Sequence, residues 1–312
     1  MILIYLFTYS AVFVFAIMVI SKIFKYANTP VHVRWELYPV AHEPKRNKYG
    51  GSHYEEEGFW KHKAKKDHIA ELWAMFEEII FLKGVYVHNK KLWFFSFPFH
   101  LGLYLITATF MIIVISVILN LFSLININAI QNTADYIFHY LTILFGYAGL
   151  ILTFVGSIGL IIQRATDKKF KFYNTPMDFI NLIFILVLVS SISITLIFSN
   201  SSLLLSKEFV KNLITFNWVD ITNGLLILNI ILISLFLLYF PITRMMHLFA
   251  KYFTYHDVRW EDEQNIKGSR LEKKVKEALN FGVSWSAPHM KTGKTWAEVA
   301  TNFPDEVKNE KR

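Results

Sequence analysis

The chain has 312 residues, of which 54% are hydrophobic and 13 are glycine. Its apolar excess is gathered in long blocks of Ile, Leu, Phe and Val, which excludes an ordinary soluble domain. There is no cysteine, which excludes disulfides, Cys-ligated iron–sulfur clusters and a C-x-x-C-H haem attachment; any redox centre must use histidine. The net charge of +8 lies beside the apolar blocks, where positive charge sets membrane orientation, so it does not point to nucleic acid.

A spanning helix needs roughly 20 apolar residues. Five stretches qualify: 2–20, 92–122, 136–162, 179–198 and 221–240, the fifth expected to continue past Pro241 toward Phe253. The first has no basic n-region and no small-residue cleavage site, and is read as a retained helix. After it comes a polar stretch, 31–66, with Pro39, Pro44 and Gly50-Gly51, expected to be an ordered cytoplasmic loop. From 69 to 87 the residues Ile69, Leu72, Trp73, Phe76, Ile79 and Ile80 keep helical spacing opposite Glu71, Glu77 and Glu78, which predicts an amphipathic helix on the inner membrane surface.

The connectors alternate in charge. The segment 126–135 has no Lys or Arg. Arg164, Lys168, Lys169 and Lys171 lie between the third and fourth spans. Between the fourth and fifth there are Lys207 and Lys211 with Glu208, and the tail is again basic. The positive-inside rule then predicts an outside N-terminus and an inside C-terminus. The tail opens with a charged helical stretch. Its end carries Trp285-Ser286-Ala287-Pro288-His289 and Thr295-Trp296-Ala297-Glu298, with too few apolar residues for a core, and is expected to lie against a partner. The expected fold is all-α: an integral membrane five-helix bundle. It divides into a first transmembrane helix (1–24), a loop with the amphipathic helix (25–91), a four-helix membrane domain (92–253) and a cytoplasmic tail (254–312).

Ionisable residues within spans are functional candidates by default. At ~1.5 Å per residue His100 lies about 10 Å into the second span and His247 roughly 9 Å from the end of the fifth, on the same side. Two imidazoles at matched depth can ligate one haem iron from both faces; the competing reading is that each hydrogen-bonds a neighbouring helix. Arg244, three residues before His247, could pair with haem propionates, or snorkel to headgroups. Pro241 should kink the fifth span. His139, beside Asp135 and Tyr140, is a possible quinone and proton site, although a lone histidine at a helix end is more often interfacial. Gly146, Gly149, Gly156 and Gly159 allow close approach of a helix or a flat cofactor. His42, His62, His68 and His256 are expected to be solvated or docking residues.

Phe240-Pro241-Ile242-Thr243-Arg244-Met245-Met246-His247 resembles the F-P-x-[ST]-R-x-x-H signature of the respiratory nitrate reductase gamma subunit, and Phe99-His100-Leu101-Gly102 resembles its helix 2 site. Arg34-Trp35-Glu36-Leu37-Tyr38-Pro39-Val40, Tyr49-Gly50-Gly51 and Ser286-Ala287-Pro288-His289 look most similar to the cytochrome b subunits of sulfate-reducer transmembrane complexes, relatives of the heterodisulfide reductase membrane subunit. The resemblance implies a redox subunit of a quinone-linked oxidoreductase complex in the cytoplasmic (inner) membrane. It would pass electrons between a quinone such as menaquinone and a cytoplasmic iron–sulfur protein, with a periplasmic cytochrome c as a further partner.

The resemblance also implies two stacked b haems, each held by one histidine from helix 2 and one from helix 5. His100 and His247 match the inner haem. The outer ligand positions, ten residues after the first and eighteen before the second, are Phe110 and Asn229. Both are lost together, so one haem b is expected, on the cytoplasmic side. A second haem would need other ligands. A haem-free membrane anchor that docks a cytoplasmic oxidoreductase is the alternative. A transporter fits less well, because the spans lack paired carboxylates or Gly/Pro-interrupted half-helices.

Overall fold

A computed structural model describes residues 2–29, 40–43, 51–61, 65–168, 174–199, 201–261, 263–287, 290 and 292–301. The described residues are helical, without a strand. In chain order the helices are α1 (Ile2–Asn28), α2 (His68–Ile80), α3 (Lys83–His88), α4 (Lys90–Leu121), α5 (Thr133–Thr166), α6 (Pro176–Phe198), α7 (Leu204–Ile214), α8 (Gly224–Tyr239), α9 (His247–Thr254), α10 (Arg270–Leu279) and α11 (Trp296–Thr301). Five of them are long and apolar enough to cross a membrane: α1, α4, α5, α6 and α8 with its extension to Ile242. The motif residues 34–39, 49–50 and 288–289 lie outside the described residues, as does His62.

Helix starts are set by local chemistry. Asn89 accepts a hydrogen bond from Leu92 N at 3.0 Å at the head of α4, and Asn223 one from Leu226 N at 2.9 Å at the head of α8. Asn132 and Asp135 form a reciprocal capping box on α5. At α6 the Asp178 carboxylate accepts from Thr175 N (2.8 Å) and Oγ1 (2.9 Å), with Pro176 in the first turn.

The chain forms two compact units, 1–16 with 75–242 and 17–74 with 243–312. In the first, α4 packs along α5 at very short range. A Cβ on Gly156 of α5 would lie 2.6 Å from the Phe99 backbone N and Cα. One on Gly102 of α4 would lie 2.5 Å from Thr153 N and 2.7 Å from Gly149 O. The small-residue stripe of α5 therefore receives a helix backbone, one of the two occupants expected for it. α8 is tied to α6 through Asn229, which is 5% exposed, accepts from Ser191 Oγ (2.6 Å) and donates to Thr195 Oγ1 (2.7 Å). The first part of α1 is held by Tyr5 Oη donating to Val219 O (3.1 Å) and Tyr9 Oη to Leu213 O (2.6 Å).

Three elements depart from expectation. The fifth span does not run on to Phe253. Pro241 has no N–H and crowds the carbonyl four residues back. The α-helix stops at Tyr239, and 3-10 turns follow at Phe240–Ile242 and Arg244–Met246. Between the turns Thr243 is extended (φ −108°, ψ 177°) and its side chain accepts from Met245 N at 3.2 Å, so the chain restarts with a cap. The amphipathic stretch 69–87 is two helices, α2 and α3, divided at Leu82, whose φ is +51°. Finally, α7 forms in what reads as a plain connector.

In the second unit the described parts of the loop are folded. Glu43, 4% exposed, accepts from Val40 N (3.1 Å), Ser52 Oγ (3.2 Å) and His53 N (3.0 Å). His42 is 1% exposed and meets Trp260 edge-on, so it is not the solvated residue expected. His256 Nε2 pairs with Glu71 at 2.8 Å. Parts of the tail are folded, with more apolar burial than its composition suggests. Val283 N donates to Lys294 O (2.8 Å) and Gly293 N to Val283 O (3.1 Å), and Leu271, Val283 and Met290 are buried. Trp285 and Trp296 remain exposed, with ring centroids 6.5 Å apart.

Candidate functional site

His100 belongs to the first unit and His247 with Arg244 to the second. His100 follows Pro98 in α4, and its Nδ1 lies 2.7 Å from the Ser96 carbonyl oxygen one turn back. Its half-buried ring meets Phe99 edge-on at 5.3 Å and Tyr104 at 6.4 Å. Tyr104 Oη donates to Ile79 O at 2.8 Å, which fixes that face of the ring's surroundings.

His247 opens α9, directly after the break at Thr243. Its Nδ1 lies 2.9 Å from Arg244 O. Both His247 and Arg244 are exposed on this chain. The two histidines thus share one arrangement. A carbonyl accepts only from an N–H, so this geometry fits a proton on Nδ1 of each ring. This is the tautomer of a metal-bound histidine whose other nitrogen is held by a backbone carbonyl. Each ring by itself has the chemistry of a histidine that could hold a haem iron, an arrangement that His256 shares through Tyr252 O at 2.9 Å. Among the described residues, no group of three or more His, Asp or Glu converges as a metal site.

His139 lies elsewhere, where α4 ends and α5 begins. It lines a cavity of about 250 Å³ together with Ser116, Asn126, Asp135, Ser202 and Lys207. Asp135 accepts from the backbone N–H of Asn126 (2.7 Å), Gln131 (2.9 Å) and Asn132 (3.2 Å), so its carboxylate is spent on the loop. Lys207, on α7, is 3% exposed, and burial pushes its ammonium below the ordinary lysine range. In the sequence Lys207 reads as one charge of a polar connector. The signal that could have found it is helical: Leu203, Leu204, Val210 and Lys211 stand three or four residues away.

The sign of that shift gives a testable pH dependence. The unfolded chain holds the Lys207 proton more tightly than the folded one. Stability relative to Lys207→Met should be lowest and flat below the folded pKa. It should rise as pH climbs toward the unfolded value of about 10.4. Thermal melts of both proteins between neutral pH and pH 10 check this, and a difference that falls with pH contradicts it.

Comparison with protein-family models, with curated proteins and with solved structures gave no match to this chain.

Proposed function

We propose that this chain is the membrane cytochrome b subunit of a respiratory redox complex in the cytoplasmic membrane. It would pass electrons between the quinone pool, menaquinone among the candidates, and a cytoplasmic iron–sulfur protein through one haem b. The observation that carries this reading is the pair His100 and His247, each held at Nδ1 by a backbone carbonyl, within the two motifs that resemble the nitrate reductase gamma pattern. When bound, haem supplies the one-electron redox centre; the protein supplies ligands, orientation and dielectric.

The residues divide the work as follows. His100 and His247 would hold the iron. Arg244 offers a planar, always charged fork suited to a propionate. Phe99, Phe97 and Trp93 wall the start of α4 with apolar rings. The outer ligand positions support a single haem: Phe110 is 56% exposed and Asn229 is engaged between α6 and α8. With the N-terminus outside, the second unit faces the cytoplasm. Menaquinol added to membranes should then reduce the b haem, and a haem that no quinol reduces would contradict the quinone link.

The exposed pair Trp285 and Trp296 suits a docking surface, because Trp is enriched at binding hot spots. Replacing both by Ala should weaken co-purification of the iron–sulfur partner by about thirtyfold or more, since a hot spot is worth at least about 2 kcal/mol, and should leave the haem spectrum intact. Unchanged co-purification would remove the tail from the interface. The same tryptophans fit the alternative of a haem-free anchor, which a missing b spectrum would favour.

A further inference from the structure

The end of the first unit where α4 gives way to α5 holds a buried charge that the haem reading does not use. Lys207 is 3% exposed and lines the cavity beside His139. A buried ammonium without an anion costs several kcal/mol. Burial works against the charged form of its ammonium. The nearest carboxylate in the cavity wall, Asp135, is held by three backbone N–H groups. Ile125, Ile127, Ile130, Phe138 and Leu204 also line it, beside Asn128 and Ala129, and apolar wall of this kind strengthens an ion pair formed inside. At about 250 Å³ the space lies just below the roughly 300 Å³ of a drug-sized pocket, which suits a small group.

We propose that this cavity binds an anionic oxygen group, a phosphate or carboxylate, through Lys207 with His139 at its side. Two sources share that chemistry: the headgroup of an acidic phospholipid and a free small anion. The exposed rings of Tyr136 and Tyr140, 4.4 Å apart on the first turns of α5, are of the type enriched where a membrane helix meets headgroups. The site is independent of the haem. Ser116 in its wall lies sixteen residues beyond His100 on α4, about 24 Å along the helix.

The test uses the full-length chain in a zwitterionic detergent. Sodium phosphate or sodium acetate, against sodium chloride at equal ionic strength, probes the free anion. Phosphatidylglycerol against phosphatidylcholine probes the headgroup. One of these pairs should raise the wild-type Tm by about 5 °C at a hundredfold excess over Kd. Lys207→Met and Lys207→Gln should lose the rise and Lys207→Arg should keep it. Native mass spectrometry of the wild type should show one such ligand per chain, which serves as the readout where the Met and Gln variants do not fold. Binding of neither source, an equal Tm rise in wild type and Lys207→Met, or occupancy by a quinol analogue alone would overturn the proposal. The reduced b spectrum of the same samples reports on the haem separately.

Discussion

His247→Ala should abolish the low-spin b spectrum of the reduced protein, and His100→Ala should do the same. A bis-imidazole iron depends on both axial ligands. One imidazole alone would not hold a low-spin b haem. The positions of the two residues make the losses separable from misfolding. His247 lies at the exposed start of a short helix, and its Nδ1 lies 2.9 Å from Arg244 O within the same turn. Ala there should leave the helical content of the five long apolar helices unchanged by circular dichroism. His100 is half-buried in α4, and Ala at that position keeps helix propensity. A low-spin b spectrum retained in His247→Ala would refute the ligand assignment, whatever happens at His100.

Gly156→Ala should destabilise the protein by about 1–3 kcal/mol or more, and Gly146→Ala should not. The added Cβ at Gly156 would sit 2.6 Å from backbone atoms of Phe99, which no rotamer change can move away, so α4 and α5 must separate. At Gly146 the nearest atoms are side-chain carbons of Leu203 at 3.4 Å and Thr109 at 3.5 Å, ordinary contacts. Ala there should be neutral or slightly stabilising, since Gly lowers helix propensity by about 1 kcal/mol. Thermal melts of the two variants in one detergent compare the sites directly. Because Phe99 precedes His100, the Gly156 variant should also retain less haem. Equal melting of both variants would contradict the backbone contact.

These contacts show what was legible in the sequence. The five long apolar helices follow from runs of Ile, Leu, Phe and Val long enough for a bilayer, and their positions agree within a few residues at most ends. α1 runs on to Asn28 because residues 21–26 contain no Gly or Pro to stop it. The glycine stripe was legible as a close approach, but the choice between helix and cofactor needed the register of α4 against it. At Pro241 an apolar pattern continued past the proline, so a kink was expected; the extended Thr243 with its capping hydroxyl makes it a break. The division at Leu82 had no warning residue. A left-handed Leu is supported there by the Glu78 carboxylate accepting from Gly84 N at 2.7 Å, a local bond across the turn that periodicity does not encode. His100 and His247 were legible by residue type. Their shared Nδ1 bonds follow from helical geometry, three or four residues back along the chain. A lysine in a connector is expected to face water, and the packing of α7 buries Lys207 instead.

The central claim is one haem b per chain, and a pyridine haemochrome assay on the purified full-length protein, normalised to protein by amino-acid analysis, tests it most directly. The account predicts one haem per chain in the wild type and none in the double variant His100→Ala with His247→Ala. Two haems per chain, or haem retained in the double variant, would contradict it.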